Sequence, residues 1–235
     1  MSENNSQYDV IVIGAGVAGL YQLFKLRQLK LKALVIEAGD NVGGTWYWNR
    51  YPGARFDSES WSYGYSFSKE LFEEWDWPEH FAAQPDTLRY LNYVADKFDF
   101  RRDIKFDRRV EACVFDQQNN LWTVRTNTKE EYVARFLITA LGPLSAFTLP
   151  NIEGRDTFKG PAYHTARWPH EEVDFSGKRV GIIGTGACAI QTIQTIAKDV
   201  AHLTVFQRSP NWAAPLNNSV TVSYTHLTLP TNREV

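Results

Sequence analysis

Two glycine-rich turns are the features of this sequence best suited to binding a ligand. The first contains Gly14, Gly16 and Gly19, and the second contains Gly184 and Gly186. Each turn follows a short run of β-branched apolar residues and precedes apolar residues at helical spacing. In such a strand–turn–helix unit, glycines permit a tight turn and a close approach of the backbone to a pyrophosphate at the helix N-terminus. The spacing therefore predicts two dinucleotide sites; the alternative is an ordinary strand-to-helix connection.

The residue that follows the second strand differs between the two units. Glu37 lies 37 − 14 = 23 residues past the first glycine, where a carboxylate can accept hydrogen bonds from both ribose hydroxyls. Arg208 lies 208 − 184 = 24 residues past Gly184, where a guanidinium favours a 2′-phosphate; the alternative is a solvated surface arginine. The unlike sites predict FAD at the first turn and NADPH at the second, because a hydride must pass between the two cofactors.

A stretch rich in glycine and aromatic residues, 43–57, follows the first unit. It reads GGTWYWNRYPGARFD. Ordinary loops are polar, whereas Trp46, Trp48 and Tyr51 beside glycines suit a wall around a large planar cofactor. The alternative is that these rings fill the edge of a core.

Hydrophobic periodicity places the turns in an α/β fold. Short β-branched runs indicate buried strands, and alternating residues on either side of a polar turn indicate an antiparallel pair. Helices are indicated over 68–75 and 84–98, the second with Asp86 as its N-cap. The predicted strands are 8–13, 33–36, 109–115, 121–126, 132–140, 179–183 and 203–206. This order predicts a two-dinucleotide-binding-domain flavoprotein, with a Rossmann-like FAD domain that carries an antiparallel insertion and an incomplete Rossmann-like NADP domain.

The same order divides the chain into four predicted segments. They are an FAD-binding domain over 1–150, a linker over 151–174, the start of an NADP-binding domain over 175–221 and a tail over 222–235. The tail, VSYTHLTLPTNREV, continues no periodic pattern and resembles a translation of sequencing-adaptor DNA, so we expect it to be non-native. A doubly wound nucleotide half needs several parallel strands, and about two precede the tail. We therefore expect a truncated chain with unpaired strand edges prone to aggregation.

Composition excludes several classes of partner. The 235 residues carry a formal net charge of −2 with scattered Lys and Arg, which provides no basic surface for nucleic acid. The polar start, MSENNSQ, and the lack of an apolar run of roughly 20 residues predict a cytoplasmic protein without a membrane partner. Cys113 and Cys188 indicate neither a disulfide framework nor a redox pair. No metal site and no protein partner are indicated.

A third pattern lies between the two turns, within the segment FKGPAYHTARWP. Its defining residues are Phe158, Gly160, His164, Trp168 and Pro169. At every defining position this pattern resembles the fingerprint of type I Baeyer–Villiger monooxygenases, as does its place just before a second glycine-rich turn. The stretch 43–60 is similar to the flavin loop of the same family, and the resemblance runs from residue 8 to about residue 218.

The resemblance implies roles for individual residues. The implied FAD contacts are Gly14, Gly16, Ala18, Gly19, Glu37, Thr45, Trp46, Tyr47, Trp48, Tyr63 and Val110. The implied contacts with the nicotinamide dinucleotide are Arg55, Asp57, Gly184, Thr185, Gly186, Gln191, Arg208 and Ser209. Asp57 is also the implied catalytic carboxylate, which lies beside the flavin and helps to hold an essential arginine.

The chemistry that the resemblance implies is the insertion of one oxygen atom next to a ketone carbonyl. NADPH reduces FAD, O2 adds to form a C4a-peroxyflavin, and attack on a small-molecule ketone gives an ester or lactone. Two alternatives stay open: a related flavin monooxygenase that oxygenates nitrogen or sulfur, and an inactive FAD-binding fragment. The spacing of His164 and Trp168 argues against the first alternative. We expect these two residues to form a hinge that fixes the relative placement of the domains rather than to act in catalysis.

Overall fold

The computed structural model describes residues 7–221, which form two compact units. The first unit contains residues 7–48 and 91–148, and the second contains residues 49–90 and 149–221. The segment 49–90 groups with the second unit, so the compact units do not coincide with the predicted domains over 1–150, 151–174 and 175–221. The division of the chain by cofactor stays a prediction. The predicted tail over 222–235 lies outside the described residues.

The described chain contains α-helices, β-strands and short 3-10 turns. The helices are α1 (Val17–Gln28), α2 (Thr45–Trp48), α3 (Ser60–Tyr63), α4 (Lys69–Glu74), α5 (Gln84–Lys97) and α6 (Ala187–Ile196). The strands are β1 (Gln7–Ile13), β2 (Ala33–Ile36), β3 (Ile104–Lys105), β4 (Val110–Asp116), β5 (Leu121–Thr126), β6 (Glu131–Thr139), β7 (Arg179–Ile183) and β8 (His202–Phe206). Short 3-10 turns lie at Arg101–Asp103, Arg155–Thr157 and Thr165–Arg167.

The first unit is built on a six-stranded sheet in the order β3-β2-β1-β6-β5-β4. β1 pairs in parallel with β2 and β6, β2 pairs in parallel with β3, and β5 pairs antiparallel with β4 and β6. The predicted parallel sheet with an antiparallel insertion is therefore confirmed. Residues 10–13 of β1 are buried, as expected of a central parallel strand with both faces covered.

The packed sheet of the first unit places the first glycine-rich turn at one edge of the sheet. Ile11 of β1 packs with Leu34 and Ile36 of β2, and with Val124 and Ala134 of the antiparallel insertion. Parallel strands end at the same edge of a sheet, so the segments that follow β1, β2 and β6 meet there. This edge carries the first turn.

The second unit contains a two-stranded parallel sheet of β7 and β8, with α6 between them in the chain. Ile183 is paired with Phe206, which sets the second turn beside the end of β8. The predicted strand–turn–helix–strand unit is confirmed. Within residues 7–221, none of the helices has the length and apolar character needed to cross a membrane.

The start of α5 at Gln84 agrees with the predicted helix over 84–98, but the predicted N-cap is wrong. Asp86 lies inside the first turn of the helix, where it pairs with Arg89 at 2.9 Å. Pro85 suits this first turn, because proline has a preset φ and its missing N–H would be unpaired there.

Candidate functional site

The first glycine-rich turn connects β1 to α1 and requires glycine at two positions. Gly14 has a φ of 104°, and a Cβ atom there would lie 2.6 Å from the carbonyl oxygen of Ala140, just past β6. A Cβ atom on Gly19 would lie 1.8 Å from the carbonyl oxygen of Gly14. The helix therefore packs directly on the turn, which confirms the tight turn and close packing expected of this spacing.

Gly16 faces another glycine, in the aromatic stretch. A Cβ atom on Gly16 would lie 3.3 Å from the Cα atom of Gly44, and one on Gly44 would lie 2.8 Å from the Cα atom of Gly16. The amide of Gly43 also donates a hydrogen bond to the carbonyl of Ala15, at 3.0 Å. The turn and the start of the aromatic stretch are thus joined backbone to backbone. The spacing of the first motif does not indicate Gly44; its signal in the sequence is the adjacent pair of glycines.

Glu37 follows β2 and directs its carboxylate into the first turn. Its Oε2 accepts a hydrogen bond from the amide of Ala15 at 2.7 Å, and its Oε1 accepts one from the amide of Gly39 at 2.8 Å. The residue is 4% exposed, and burial raises the pKa of its carboxyl group, while these amide hydrogen bonds act in the opposite direction. A carboxylate has about four acceptor positions, so capacity remains for ribose hydroxyls.

The raised pKa of Glu37 gives a prediction about stability and pH. Folding favours the protonated form of this carboxyl group, because its pKa is higher in the folded protein than the unfolded value of 4.5. Its contribution to the free energy of unfolding is therefore fully present below pH 4.5. The contribution is lost as the pH rises through the folded pKa. We therefore expect the free energy of unfolding of the protein, relative to that of Glu37→Gln, to be lower at pH 8 than at pH 4. Urea unfolding of both proteins at the two pH values measures this difference; a difference that rises with pH would contradict it.

The other implied FAD residues of the first unit have unlike surroundings. In α2, Trp46 and Tyr47 are buried and Trp48 is half-buried. The ring of Tyr47 covers Gly39, where a Cβ atom would lie 2.7 Å from Cε1. This burial supports the alternative in which rings fill a core edge, and flavin contact by 45–48 stays a prediction. Ala18 is exposed in the first turn of α1, and the half-buried Val110 begins β4; their roles also stay predictions.

The second turn repeats the backbone of the first, 184 − 14 = 170 residues later. Gly184 has a φ of 102°, close to the 104° of Gly14, and Gly186 precedes α6 in the extended conformation that Gly16 adopts before α1. The surroundings differ, because among residues 7–221, chain neighbours aside, no atom lies within 4 Å of a Cβ atom placed on Gly184 or Gly186. Asn211 donates a hydrogen bond from its Nδ2 to the carbonyl of Thr185, at 2.6 Å, which fixes the turn from the side of β8.

The end of β8 is chemically unlike the end of β2. Gln207 occupies the place that corresponds to Glu37, since 207 − 170 = 37, and it donates a hydrogen bond from Nε2 to the carbonyl of Ser209 at 3.1 Å. Arg208 and Ser209 are exposed. A neutral amide therefore replaces a carboxylate that would repel a phosphate, and an accessible guanidinium stands beside it.

Arg55 is held by acidic and backbone groups of the second unit. Its Nη1 forms an ion pair with Oε2 of Glu79 at 2.8 Å and donates to the carbonyl of Phe81 at 3.2 Å. Asn218 donates to the same Glu79 oxygen at 2.8 Å. Sequence reasoning missed Glu79, because no motif contains it. Asp57 is exposed, and within residues 7–221 no ion pair involves it.

Tyr63, at the end of α3, stacks on the ring of Phe56 with centroids 4.4 Å apart and planes 10° from parallel. Phe56 is buried and lies between Arg55 and Asp57 in sequence. The stack anchors the segment that presents these two charged residues, while contact of Tyr63 with a flavin stays a prediction.

Gln191 of α6 directs its amide group toward the aromatic stretch. Its Oε1 accepts a hydrogen bond from the hydroxyl of Tyr51 at 2.8 Å, and its Nε2 donates to the carbonyl of Arg55 at 3.0 Å. The structure thus brings together two groups of implied nicotinamide residues that lie far apart in sequence.

The fingerprint residues make local contacts. Phe158 is exposed and its ring covers Gly160, where a Cβ atom would lie 2.6 Å from Cζ. His164 accepts a hydrogen bond at Nδ1 from the amide of Ala166, at 3.1 Å, which caps the turn Thr165–Arg167.

Trp168, which precedes the half-buried Pro169, packs between two other rings. Its centroid lies 5.4 Å from that of Tyr163 and 6.1 Å from that of Phe175. Gly160, His164 and Trp168 each serve a distinct local purpose, and the predicted hinge stays a prediction.

Two strand–turn–helix–strand units with matching glycine-rich turns define a protein with two Rossmann-like halves. The chain belongs to the pyridine nucleotide-disulphide oxidoreductase family, whose pattern matches residues 11–229.

Individual relatives refine this assignment. Acetone monooxygenase (methyl acetate-forming) from Gordonia sp. (strain TY-5) is 50% identical over 210 residues, 89% of this chain and 39% of that protein. Phenazine N-monooxygenase from Lysobacter antibioticus is 45% identical over 216 residues, 92% of this chain and 40% of that protein. The solved structure of oxidized steroid monooxygenase bound to NADP matches with a TM-score of 0.91 at 52% identity, covering 97% of this chain and 43% of that one. The predicted resemblance is confirmed, and the chain spans about two-fifths of the length of these proteins.

Proposed function

We propose that the whole protein containing this chain is an NADPH-dependent flavin monooxygenase that inserts one atom of O2 next to a ketone carbonyl. The observation that carries the proposal is the fingerprint over 158–169, placed between two turns of the same backbone conformation that lead to unlike residues. The relative named for forming methyl acetate supports ketones as the substrate class. One NADPH, one proton, one O2 and one ketone give one NADP+, one ester or lactone and one water.

The first turn fits the pyrophosphate and ribose of FAD. α1 has no side-chain hydrogen bond at its N-cap, Gly16, and no acidic residue in its first turn, and a helix N-terminus of this kind favours a bound anion. Gly14 and Gly16 place no Cβ atom in the way of a close approach to the backbone. We propose that this end of α1, including Ala18, binds the pyrophosphate and that Glu37 accepts from ribose hydroxyls.

The second turn fits NADPH for matching reasons. α6 also lacks a side-chain cap and an acidic first turn, and in the part of the chain that the structure describes nothing occupies the space beside Gly184 and Gly186. The exposed guanidinium of Arg208 and hydroxyl of Ser209 suit a 2′-phosphate beyond the end of β8.

When bound, FAD supplies the ring system that accepts a hydride from NADPH and activates O2. The chain itself binds and orients the dinucleotides through the two turns. We propose that Asp57 uses its exposed carboxylate to hold an arginine of the whole protein, and that this arginine stabilises negative charge on the reacting oxygen. Arg55 is proposed to border the nicotinamide, in an orientation that its ion pair with Glu79 fixes.

A second candidate is oxygenation of nitrogen or sulfur by the same cofactors. The phenazine N-monooxygenase favours it, because that relative matches nearly the whole of this chain. The two candidates predict different products from mixed substrates. The whole protein should be given NADPH, O2 and a cyclic ketone together with an amine and a thioether; a lactone supports the first proposal, and exclusive N- or S-oxygenation would contradict it.

Arg208 gives a prediction about cofactor choice. Arg208→Ala should weaken NADP+ binding by about 10- to 100-fold and leave NAD+ binding nearly unchanged, because a charge-assisted bond to the 2′-phosphate is lost. Titration of each nucleotide into the protein measures both dissociation constants. Arg179→Ala, at the opposite end of β7 from the turn, is the matched control and should change neither. Equal weakening of NADP+ and NAD+ by Arg208→Ala would show that the guanidinium does not read the 2′-phosphate.

Ketone, O2 and the two cofactors are the partners that we propose. A cytoplasmic location and the lack of nucleic-acid, membrane and protein partners stay predictions.

A further inference from the structure

The helix that follows the second turn is bonded to the segment that carries Arg55. The hydroxyl of Tyr51 donates to Oε1 of Gln191 at 2.8 Å, and Nε2 of Gln191 donates to the carbonyl of Arg55 at 3.0 Å. Gly53 lies between Tyr51 and Arg55 in sequence and has a φ of 79°. It approaches α6 so closely that a Cβ atom on Gly53 would lie 2.6 Å from the carbonyl oxygen of Gln191. One side chain of α6 therefore spans both ends of a tight turn over 51–55.

The chemistry of the partners fixes which way the amide of Gln191 faces. A backbone carbonyl can only accept, so the Nε2 group must face Arg55, which leaves Oε1 for Tyr51. Burial raises the pKa of Tyr51, so its hydroxyl stays protonated and available as a donor. Both ends of the amide are thus engaged with the segment 51–55.

Arg55 is held from other directions as well. Its side chain pairs with Glu79, and its backbone forms an antiparallel bridge with Ala83. The hydrogen bond from Gln191 links Arg55 to the helix that begins directly after Gly186. It therefore connects this arginine to the second glycine-rich turn.

We propose that Gln191 is a positioning residue that sets Arg55 relative to the second glycine-rich turn, and that it does not itself bind the nicotinamide dinucleotide. The proposal rests on the proposed function for the identity of the dinucleotide. It departs from the role that the family resemblance implies for Gln191, which is a direct contact with the cofactor.

The two roles make opposite predictions for Tyr51. If Gln191 acts through the segment 51–55, Tyr51→Phe, which removes only the hydroxyl, should have the same effects as Gln191→Met, and the double variant should add little. If Gln191 binds the dinucleotide directly, Gln191→Met should weaken binding and Tyr51→Phe should not.

The experiment uses the whole protein, the two single variants and the double variant, with two measurements. Hydrogen exchange of the amides of 53–57 should speed up by about fivefold in each single variant, since one hydrogen bond contributes about 1 kcal/mol. The dissociation constant of NADP+ should rise by a similar factor in both single variants, with the double variant within about twofold of either. Thr192→Val is the matched control, because the hydroxyl of Thr192 donates to the carbonyl of Cys188 within the same helix and makes no bond to 51–55.

Each outcome decides the matter. A rise in the NADP+ dissociation constant for Gln191→Met alone, or unchanged exchange in both single variants, would overturn the proposal. If Gln191→Met does not fold, Tyr51→Phe alone still tests it, because unchanged exchange and NADP+ binding in that variant would overturn it. Lack of NADP+ binding by the unsubstituted protein would contradict the proposed function instead, while the exchange measurement would still test the link between Gln191 and Arg55.

Discussion

Replacing Gly19 by alanine is expected to destabilise the first unit by about 3 kcal/mol and to abolish its retention of FAD. The added Cβ atom would lie 1.8 Å from the carbonyl oxygen of Gly14 and 2.9 Å from its carbonyl carbon. These are backbone atoms of a turn whose own geometry is fixed, because Gly14 is confined by Ala140 on its other side. Relief would require α1 to move away from the sheet, and that movement would displace the amides proposed to hold the pyrophosphate.

The matched control for Gly19→Ala is Gly186→Ala. Gly186 has an ordinary negative φ, and no atom of a non-adjacent described residue lies within 4 Å of an added Cβ, so alanine there should cost less than about 1 kcal/mol. Urea unfolding followed by tryptophan fluorescence gives the stabilities, and flavin absorbance after purification gives the FAD content. Similar losses of stability in the two variants would show that the contact between α1 and the turn is not the cause.

Gly53→Ala is expected to destabilise the second unit by about 3 kcal/mol, through two effects that act together. A φ of 79° strains any residue with a Cβ atom, and this Cβ would lie 2.2 Å from Oγ1 of Thr195 and 2.6 Å from the carbonyl oxygen of Gln191. The turn over 51–55 would have to leave α6. Hydrogen exchange should therefore accelerate in both segments.

Gly177→Ala separates strain from crowding. Gly177 has a similar φ of 66°, but within 7–221 no atom beyond its chain neighbours lies within 4 Å of an added Cβ, so Gly177→Ala should show only the strain, about 1 kcal/mol. The midpoint of urea unfolding and the exchange rates of the amides of 53–57 compare the two variants. Equal destabilisation would mean that contact with α6 contributes nothing.

The sequence predicts those parts of the fold that depend on short-range patterns. Gly14 and Gly184 are identified by their place after an apolar run, and both adopt the left-handed conformation that makes glycine necessary. The order of strands follows from alternation and from buried runs such as that of β1. An N-cap is harder to place: Asp86 suits a cap by type, but it lies inside the first turn, after Pro85.

The parts that could not be predicted depend on contacts between distant segments. Gln191 and Arg55 are 136 positions apart, and Gly44 and Gly16 meet through backbone atoms that carry no signal in side-chain type. Residues 49–90 group with the second unit because of such contacts, including the bond from Asn218 to Glu79. Spacing correctly indicated the end of β2 for Glu37, yet gave no sign that its carboxylate bonds the turn itself.

The fingerprint illustrates what a resemblance contributes beyond spacing. Its pattern indicated a class of enzyme, whereas the structure shows the local contacts that three of its residues make. Gly160 lets the ring of Phe158 cover the backbone, His164 caps a short turn, and Trp168 packs between two rings. These are local packing and capping contacts, and the expectation that His164 takes no catalytic part stays a prediction.

We propose that the whole protein transfers a hydride from NADPH to its flavin and inserts one atom of O2 next to the carbonyl of a ketone. The most direct measurement is mass spectrometry of the products when the protein turns over a ketone with NADPH under ¹⁸O2. We expect an ester or lactone that carries one ¹⁸O atom, formed in equal amount to the NADPH consumed, with the second ¹⁸O atom in water. Consumption of NADPH that yields hydrogen peroxide and unchanged ketone, or an ester without label, would contradict it.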